Sequence, residues 1–133
     1  SIKISTDIHE QINEENSKFI FKRISGAFTI QQHQAELIKA HYESCNYAKI
    51  ICGDLNNSAF SYVYRTIKGD MKDAFEEAGT SFGKSYNFKY YPARIDYIFV
   101  ENNIKIKQFK SINTFFQSDH FPQIARLSID KRL

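Results

Sequence analysis

Three short stretches of this 133-residue sequence place carboxylate, amide and imidazole side chains beside apolar runs. A carboxylate next to a buried strand is a candidate for chemistry, because carboxylate and amide oxygens are ligands that suit Mg²⁺. An imidazole with a carboxylate partner can donate to a phosphoryl oxygen. Together these groups are typical of metal-assisted hydrolysis of a phosphate ester. The stretches are Gly53-Asp54-Leu55-Asn56, Arg94-Ile95-Asp96-Tyr97 and Ser118-Asp119-His120-Phe121-Pro122.

The first two stretches differ in how strongly each indicates function. Asp54 and Asn56 follow an apolar run, and each could equally cap the helix predicted after it. Asp96 lies inside the apolar run 95–100, where an unpaired carboxylate is costly to bury. A salt bridge with Arg94 is the structural alternative for Asp96. His120 is the functional alternative, because Asp96 would fix its tautomer and stabilise its imidazolium.

Composition limits the classes of function. The chain has 18 Lys and Arg against 15 Asp and Glu, a net charge of +3. This mild excess is compatible with a phosphorylated substrate but lacks the basic stripe that indicates nucleic acid alone. No run approaches the roughly 18 apolar residues of a membrane span. Cys45 and Cys52 are too few for a disulfide scaffold, so we expect free thiols. Since residue 1 is Ser, we expect a processed chain or a segment of a longer protein.

The apolar periodicity predicts one α/β domain over residues 1–133, with an irregular lead-in over 1–24. The lead-in is expected to hold a short strand at Ile2–Ile4 and then a loop or a loosely amphipathic helix. Ile50-Ile51-Cys52 does not alternate, which predicts a strand buried on both faces. Helices are expected to cover one face of a single mixed sheet. The predicted helices are Gly26–Tyr42, Ser58–Ile67 and Met71–Ala78, and the predicted strands are Tyr47–Leu55, Ala93–Val100, one beginning at Ile104, and Phe121–Ile129.

Residues 80–91 are rich in Ser, Gly, Asn and aromatic residues. This composition predicts a long surface loop that contacts the substrate. Lys84, Lys89 and Arg94 are candidates to bind a phosphate group. For each of them the alternative is a solvated surface charge.

The three stretches, in this order, resemble the last three motifs of the endonuclease/exonuclease/phosphatase superfamily. That superfamily includes DNase I, abasic-site endonucleases of the exonuclease III type, neutral sphingomyelinases and inositol polyphosphate 5-phosphatases. The resemblance covers about Gln34 to Leu127. It implies a DNase I-like four-layer sandwich of two packed sheets, of which this sequence would supply about the C-terminal half.

The resemblance also implies a role for each candidate residue. Asp54 would orient or activate the attacking water, and Asn56 would hydrogen-bond a phosphate oxygen. Asp96 would pair with His120, which would contact the scissile phosphate. Asp119 would lie near the metal. The implied cofactor is Mg²⁺, with Mn²⁺ as an alternative, and its principal Glu ligand is expected outside this chain.

The implied function is metal-dependent phosphoester hydrolysis by a parent protein, with this segment alone inactive. The alternative is a truncated or degenerate domain that acts as a binding or scaffolding module. The substrate could be a nucleic acid, a phospholipid headgroup or a phosphorylated metabolite. Further expected partners are the N-terminal half of the parent protein and a second copy of this chain, through an exposed sheet face.

Overall fold

The computed structural model describes residues 14–80, 83–87, 93–114 and 117–129. Helices and strands are interspersed, which confirms the predicted α/β class. The strand predicted at Ile2–Ile4 lies outside the described residues. The elements are α1 (Glu14–Glu43), β1 (Ile50–Asp54), α2 (Tyr62–Lys68), β2 (Lys72–Asp73), α3 (Ala74–Ala78), β3 (Asp96–Val100), β4 (Ile104–Ser111) and β5 (Gln123–Ile129).

The described strands form two hydrogen-bonded sheets, where the sequence predicted one mixed sheet. One sheet has the order β1-β3-β2, and the other pairs β4 with β5. All of these pairings are antiparallel. The apolar pattern shows which segments are extended but does not specify their partners or directions, and this is why the prediction missed the division.

The register between β1 and β3 brings two predicted site residues together. It runs from Ile50 opposite Val100 to Asp54 opposite Asp96. Residues directly opposite in an antiparallel pair have Cβ atoms roughly 4.5–5.5 Å apart. The pairing therefore places both carboxylates at the same end of the sheet.

Strand β3 is covered on both faces by apolar side chains. Tyr97 and Phe99 point into a cluster with α1 and α2, and Val100 points into a second cluster with α3 and β4. Alternation along the strand produces this division. β3 is thus the central strand of the core and carries Asp96 at its first position. The first cluster contains Ala35, Val63, Tyr64, Ile67, Met71, Tyr97 and Phe99, and the second contains Ala74, Val100, Ile104 and Phe109.

Strand β1 is more exposed than predicted. It lies at the edge of its sheet, and Ile50 is 45% exposed. Ile51 points to the other face and packs against the first core cluster. The prediction that both faces are buried is therefore wrong for the described residues, because they cover only one face of this strand.

Helix α1 begins twelve residues before the predicted helix Gly26–Tyr42, at Glu14. It runs through part of the lead-in, for which the sequence left a loop or an amphipathic helix open. Its C-terminal half packs on α2, with Ala35 buried. Large apolar side chains of its N-terminal half are exposed, namely Phe19, Ile20, Phe21, Ile24 and Phe28.

Helix α2 begins later than predicted. Ser61 is its N-cap, and the Ser61 hydroxyl accepts the Tyr64 N–H at 3.0 Å. The N-cap position that the sequence left open for Asp54 and Asn56 is therefore occupied by Ser61. The helix ends at Lys68 with Gly69 as its C-cap, one residue beyond the predicted end at Ile67.

The third predicted helix is divided between a strand and a helix. Its first residues form β2, and Asp73 then caps the short helix α3 by accepting the Phe75 N–H at 2.9 Å. Asp73 pairs with β3 and is buried, and the helical periodicity of the sequence does not show this tertiary contact. The helix ends at Ala78 with Gly79 as its C-cap, and Ala78 is also the predicted end.

The structure also bears on the state of the cysteines and on membrane-spanning helices. Cys45 and Cys52 are both free thiols, as predicted. Among the described residues, no helix combines the length and apolar character needed to cross a membrane.

Candidate active site

Three predicted site residues meet at one end of the central sheet. Asp54 is the last residue of β1, and Asp96 is the first residue of β3. His120 reaches them from the segment before β5, where a β-bridge pairs it with Tyr86. One ligand atom from each of Asp54, Asp96 and His120 lies within 4.8 Å of the others. The fold thus assembles a compact set of two carboxylates and an imidazole.

The His120 imidazole lies between the two carboxylates. Its Nδ1 is 3.0 Å from Asp96 Oδ2, and its Nε2 is 3.9 Å from Asp54 Oδ2. The hydrogen bond to Asp96 raises the pKa of His120, although partial burial acts in the opposite direction. Since the Nδ1–H donates to Asp96 in this arrangement, Nε2 is the nitrogen available to a substrate.

A tight turn fixes the carboxylate of Asp54. Its Oδ1 accepts the Asn56 N–H at 2.8 Å, and Asn56 has a φ of +48°. Asn tolerates this left-handed conformation better than most residues. Asn57 is held by the Leu55 carbonyl, to which its amide donates at 2.9 Å. Within the described part of the chain, the exposed Asn56 side chain has no hydrogen-bond partner, so it is available to a ligand.

Asp119 lies on the Tyr86 side of His120. Its carbonyl accepts the Asn87 N–H at 2.8 Å, and the charge of its carboxylate raises the pKa of the Tyr86 phenol. Asp119 is outside the cluster formed by Asp54, Asp96 and His120. Its predicted role near the metal stays a prediction.

Tyr86 is a site residue that the sequence did not single out. Its ring packs edge-on against the His120 ring, with the two centroids 4.9 Å apart. The only signal in the sequence was its place in the aromatic loop 80–91, which predicts contact with the substrate but not with His120.

Arg94 lies in the core rather than beside the three-residue cluster. Its Nη1 forms an ion pair with Asp73, and its guanidinium lies 4.6 Å from the centroids of both Phe75 and Tyr97. Only 12% of the Arg94 side chain is exposed. The predicted contact with a phosphate would require Arg94 to leave a buried carboxylate, and it stays a prediction.

The two lysine predictions have different outcomes. Lys84 Nζ donates to Asn87 Oδ1 at 3.0 Å and lies 5.2 Å from the centroid of the Phe121 ring. Lys84 is therefore next to the segment that carries His120, and its contact with a phosphate stays a prediction. Lys89 lies outside the described residues.

An open cavity of about 420 Å³ borders the three-residue cluster. Its walls combine Asp54, Asp96 and His120 with apolar side chains that include Ile98 and Phe121. Its size falls in the range of roughly 300–1,000 Å³ that small-molecule sites occupy. The cavity is large enough for a phosphate group and part of its leaving group.

The cluster has the chemistry of a divalent cation site. Asp54 and Asp96 supply carboxylate oxygens, the ligands that Mg²⁺ and Mn²⁺ prefer. His120 is already engaged through Nδ1 with Asp96. The residues present therefore fit a hard cation held by the two carboxylates.

Comparison with a family model gives the family of this domain. Residues 21–120 match the model described as the Endonuclease/Exonuclease/phosphatase family. Because this match spans more than half of the chain, the protein belongs to the endonuclease/exonuclease/phosphatase family.

Solved structures of this family share the fold. A Bacteroides vulgatus member is 27% identical with a TM-score of 0.63, over 75% of this chain and 44% of that one. A Bacteroides thetaiotaomicron member is 22% identical with a TM-score of 0.62, over 78% and 45%. A mannosyl-6-phosphatase from Bacteroides thetaiotaomicron is 22% identical with a TM-score of 0.52, over 90% and 48%.

These similarities confirm the predicted DNase I-like architecture. The chain spans less than half the length of each of these three structures. A search of curated proteins found no match.

Proposed function

We propose that the longer protein of which this chain is a part is a metal-dependent phosphoesterase. This chain would supply the groups that position the attacking water and bind the phosphate. The observation that supports the proposal most is the pairing of His120 Nδ1 with Asp96 Oδ2 at 3.0 Å, with Asp54 3.9 Å from Nε2 of the same ring.

Asp54 is suited to orient a water for in-line attack on phosphorus. One of its oxygens accepts the Asn56 N–H, which fixes the plane of the carboxylate. The other oxygen faces His120 at the cavity and can accept a proton from a water molecule there.

His120 and Asn56 are suited to stabilise the charge that develops on the phosphate. The His120 ring is fixed by Asp96, so its Nε2–H can donate to a non-bridging oxygen when the imidazole is protonated. The Asn56 side-chain amide is exposed and can donate to a second oxygen. The contact with Asp96 fixes the His120 donor before the substrate arrives, which is what makes such a donor effective.

The cofactor in this proposal is Mg²⁺ or Mn²⁺, held by Asp54 and Asp96, with Asp119 near it, together with a Glu from outside this chain. When bound, such a cation neutralises charge on the phosphate oxygens. Because the chain spans less than half the length of its structural relatives, we expect it to be inactive by itself.

The substrate class remains open between a nucleic acid, a phospholipid headgroup and a phosphorylated metabolite. One similar structure is a mannosyl-6-phosphatase, so a sugar 6-phosphate belongs among the compounds tested. Lys84 and Lys89 are the residues of this chain that we propose for contacts with the phosphate.

Turnover by the longer protein in Mg²⁺ tests this proposal. The substrates are duplex DNA, bis(p-nitrophenyl) phosphate, sphingomyelin vesicles and mannose 6-phosphate. Asp54→Ala and His120→Ala should each lower turnover by about 10²- to 10⁴-fold, the usual contribution of an acid–base group. His33→Ala, on the exposed side of α1, is the matched control and should retain wild-type turnover. Wild-type rates in both site variants would refute the proposal.

A second candidate function for this chain by itself is that of a non-catalytic binding module. It is favoured because the chain covers less than half the length of its structural relatives. This candidate predicts that the longer protein binds a phosphate ester but turns over none of the substrates above. The complete set of Asp54, Asn56, Asp96 and His120 argues against it, because binding alone does not need a carboxylate-oriented imidazole.

Exposed apolar side chains on α1 and β1 support two further partners, the N-terminal half of the longer protein and a second copy of this chain. Phe28 and Ile50 are each about half exposed, and apolar patches of this kind mark interfaces. Light scattering on this chain should show association that increases with concentration. A monomer at all concentrations would contradict self-association.

A further inference from the structure

Ser85 is completely buried, with 0% of its surface exposed, although it lies outside the regular helices and strands. Its hydroxyl oxygen accepts two main-chain hydrogen bonds, from the Ile95 N–H at 2.9 Å and the Asp96 N–H at 3.0 Å. A serine hydroxyl has two acceptor lone pairs, so both are used on the main chain at the start of β3.

The main chain of Ser85 holds a different segment. Its carbonyl accepts the Phe121 N–H at 2.7 Å, and its N–H donates to the Ala93 carbonyl at 2.9 Å. The next residue, Tyr86, forms β-bridges with both Ala93 and His120. Ser85 thus contacts the segment that carries Asp96 and the segment that carries His120.

This double contact bears on the distance between the two site residues. Asp96 and His120 are 24 residues apart in sequence, and a hydrogen bond of 3.0 Å joins their side chains. The orientation of a hydrogen-bonded imidazole depends on where the main chain places its carboxylate partner. Through its hydroxyl and its carbonyl, Ser85 holds the main chain at Asp96 and the main chain next to His120.

We propose that Ser85 is a positioning residue for the Asp96–His120 pair. It acts on the phosphoester chemistry without contacting the substrate, and in this respect the inference rests on the proposed function. Removal of its hydroxyl leaves the Ile95 and Asp96 N–H groups without their acceptor, so the start of β3 shifts and His120 loses its fixed orientation.

Ser61 offers a matched control for a purely structural role. Its hydroxyl also accepts a main-chain N–H, that of Tyr64 at 3.0 Å, and it caps α2. Ser61→Ala should lower stability through the lost hydrogen bond, as Ser85→Ala should, but it leaves the Asp96–His120 pair in place.

The first experiment needs no activity and uses this chain. In the wild-type chain at alkaline pH, the imidazole nitrogen shifts of neutral His120 should show the Nδ1–H tautomer. Ser85→Ala should give a mixture of tautomers and at least a 10-fold faster amide exchange at Asp96, while Ser61→Ala should change neither. An unchanged tautomer and unchanged exchange in Ser85→Ala would overturn the inference.

The second experiment uses the longer protein. Ser85→Ala should lower kcat by roughly 10- to 100-fold, the usual effect of changing a group that orients a site residue, with KM nearly unchanged. Ser85→Cys keeps the size and a weak acceptor, so it should give an intermediate kcat, and it replaces Ser85→Ala if that variant does not fold. An active wild type with unchanged kcat in both Ser85 variants would overturn the inference. An inactive wild type would refute the proposed function instead, and the tautomer measurement would then decide the role of Ser85.

Discussion

Two acidic residues on neighbouring strands of the central sheet have opposite surroundings. Asp73 is 1% exposed and is bonded to the Arg94 guanidinium and to the Tyr64 hydroxyl, the latter at 2.8 Å. Asp96 has a side chain that is 21% exposed and faces a cavity, with His120 as its side-chain partner. A carboxylate whose oxygens are fully used by the protein stabilises the fold, whereas one that keeps access to solvent can serve a ligand.

The buried Tyr64 hydroxyl shows how little solvent reaches the Asp73 carboxylate. Its hydroxyl lies 2.8 Å from Asp73 Oδ2 and 2.9 Å from Glu76 Oε1. Burial, followed by the hydrogen bond to Asp73, raises the pKa of Tyr64 far above its ordinary value. A buried polar network of this kind is favourable only while every member is satisfied. Substitutions there should therefore affect stability, and substitutions at Asp96 should affect activity.

The largest expected effect is on activity. Asp96→Asn in the longer protein should lower turnover by about 10²- to 10⁴-fold, because His120 loses the charge that orients it. The free energy of unfolding should change by only about 0–1 kcal/mol, the usual value for a partly exposed ion pair. Turnover and urea unfolding measured on the same preparation test this, and a large loss of stability would contradict the comparison.

Asp73→Asn should have the reverse effect. It leaves the buried guanidinium of Arg94 without a counter-charge, which usually costs about 3–5 kcal/mol. Urea unfolding of this chain provides the measurement. A loss below about 1 kcal/mol would mean that solvent reaches Arg94, contrary to its 12% exposure.

Tyr64→Phe tests the same network with a smaller change. It keeps the ring contacts with Tyr97 and Phe99 but removes the hydroxyl from two carboxylates. Asp73 keeps Arg94 and the Phe75 N–H as partners, and Glu76 is exposed, so the expected loss is about 1.5–3 kcal/mol, the usual contribution of a hydrogen bond to a charged group. Thermal unfolding followed by circular dichroism measures it, and Tyr62→Phe on the same helix serves as the exposed control.

The smallest effect concerns pH. Because the folded pKa of His120 is raised by Asp96, the pair stabilises the fold fully below the unfolded pKa of about 6.5. This stabilisation is lost as the pH rises through the raised folded pKa. An NMR titration in metal-free buffer should show a lower His120 pKa in Asp96→Asn than in the wild type. Equal values would mean that Asp96 does not hold the imidazolium.

The sequence predicted which polar side chains lie together better than it predicted the packing around them. Asp54, Asp96 and His120 were identifiable because polar residues in or beside apolar strands need a partner. The sequence did not show the ion pair of Arg94 with Asp73, because Asp73 lies on a two-residue strand that the periodicity predicts as helix. Ser85 carried no signal, because a buried serine in a loop looks the same in sequence as an exposed one.

The exposure of β1 shows a different limit of sequence patterns. The run Ile50-Ile51-Cys52 predicts a strand covered on both faces, and the described residues cover one. An apolar strand pattern predicts that both faces of the strand are covered, but it does not specify which segment covers each face.

The register that sets Asp54 opposite Asp96 has a thermodynamic consequence. Like charges directly opposite on paired strands weaken a sheet, so the two carboxylates repel each other at this end of the sheet when the His120 imidazole between them is neutral. A cation bound there, as proposed for the longer protein, would relieve the repulsion and shift the folding equilibrium by mass action. Asp54→Asn should melt at a higher temperature than the wild type while losing the function that the charge serves.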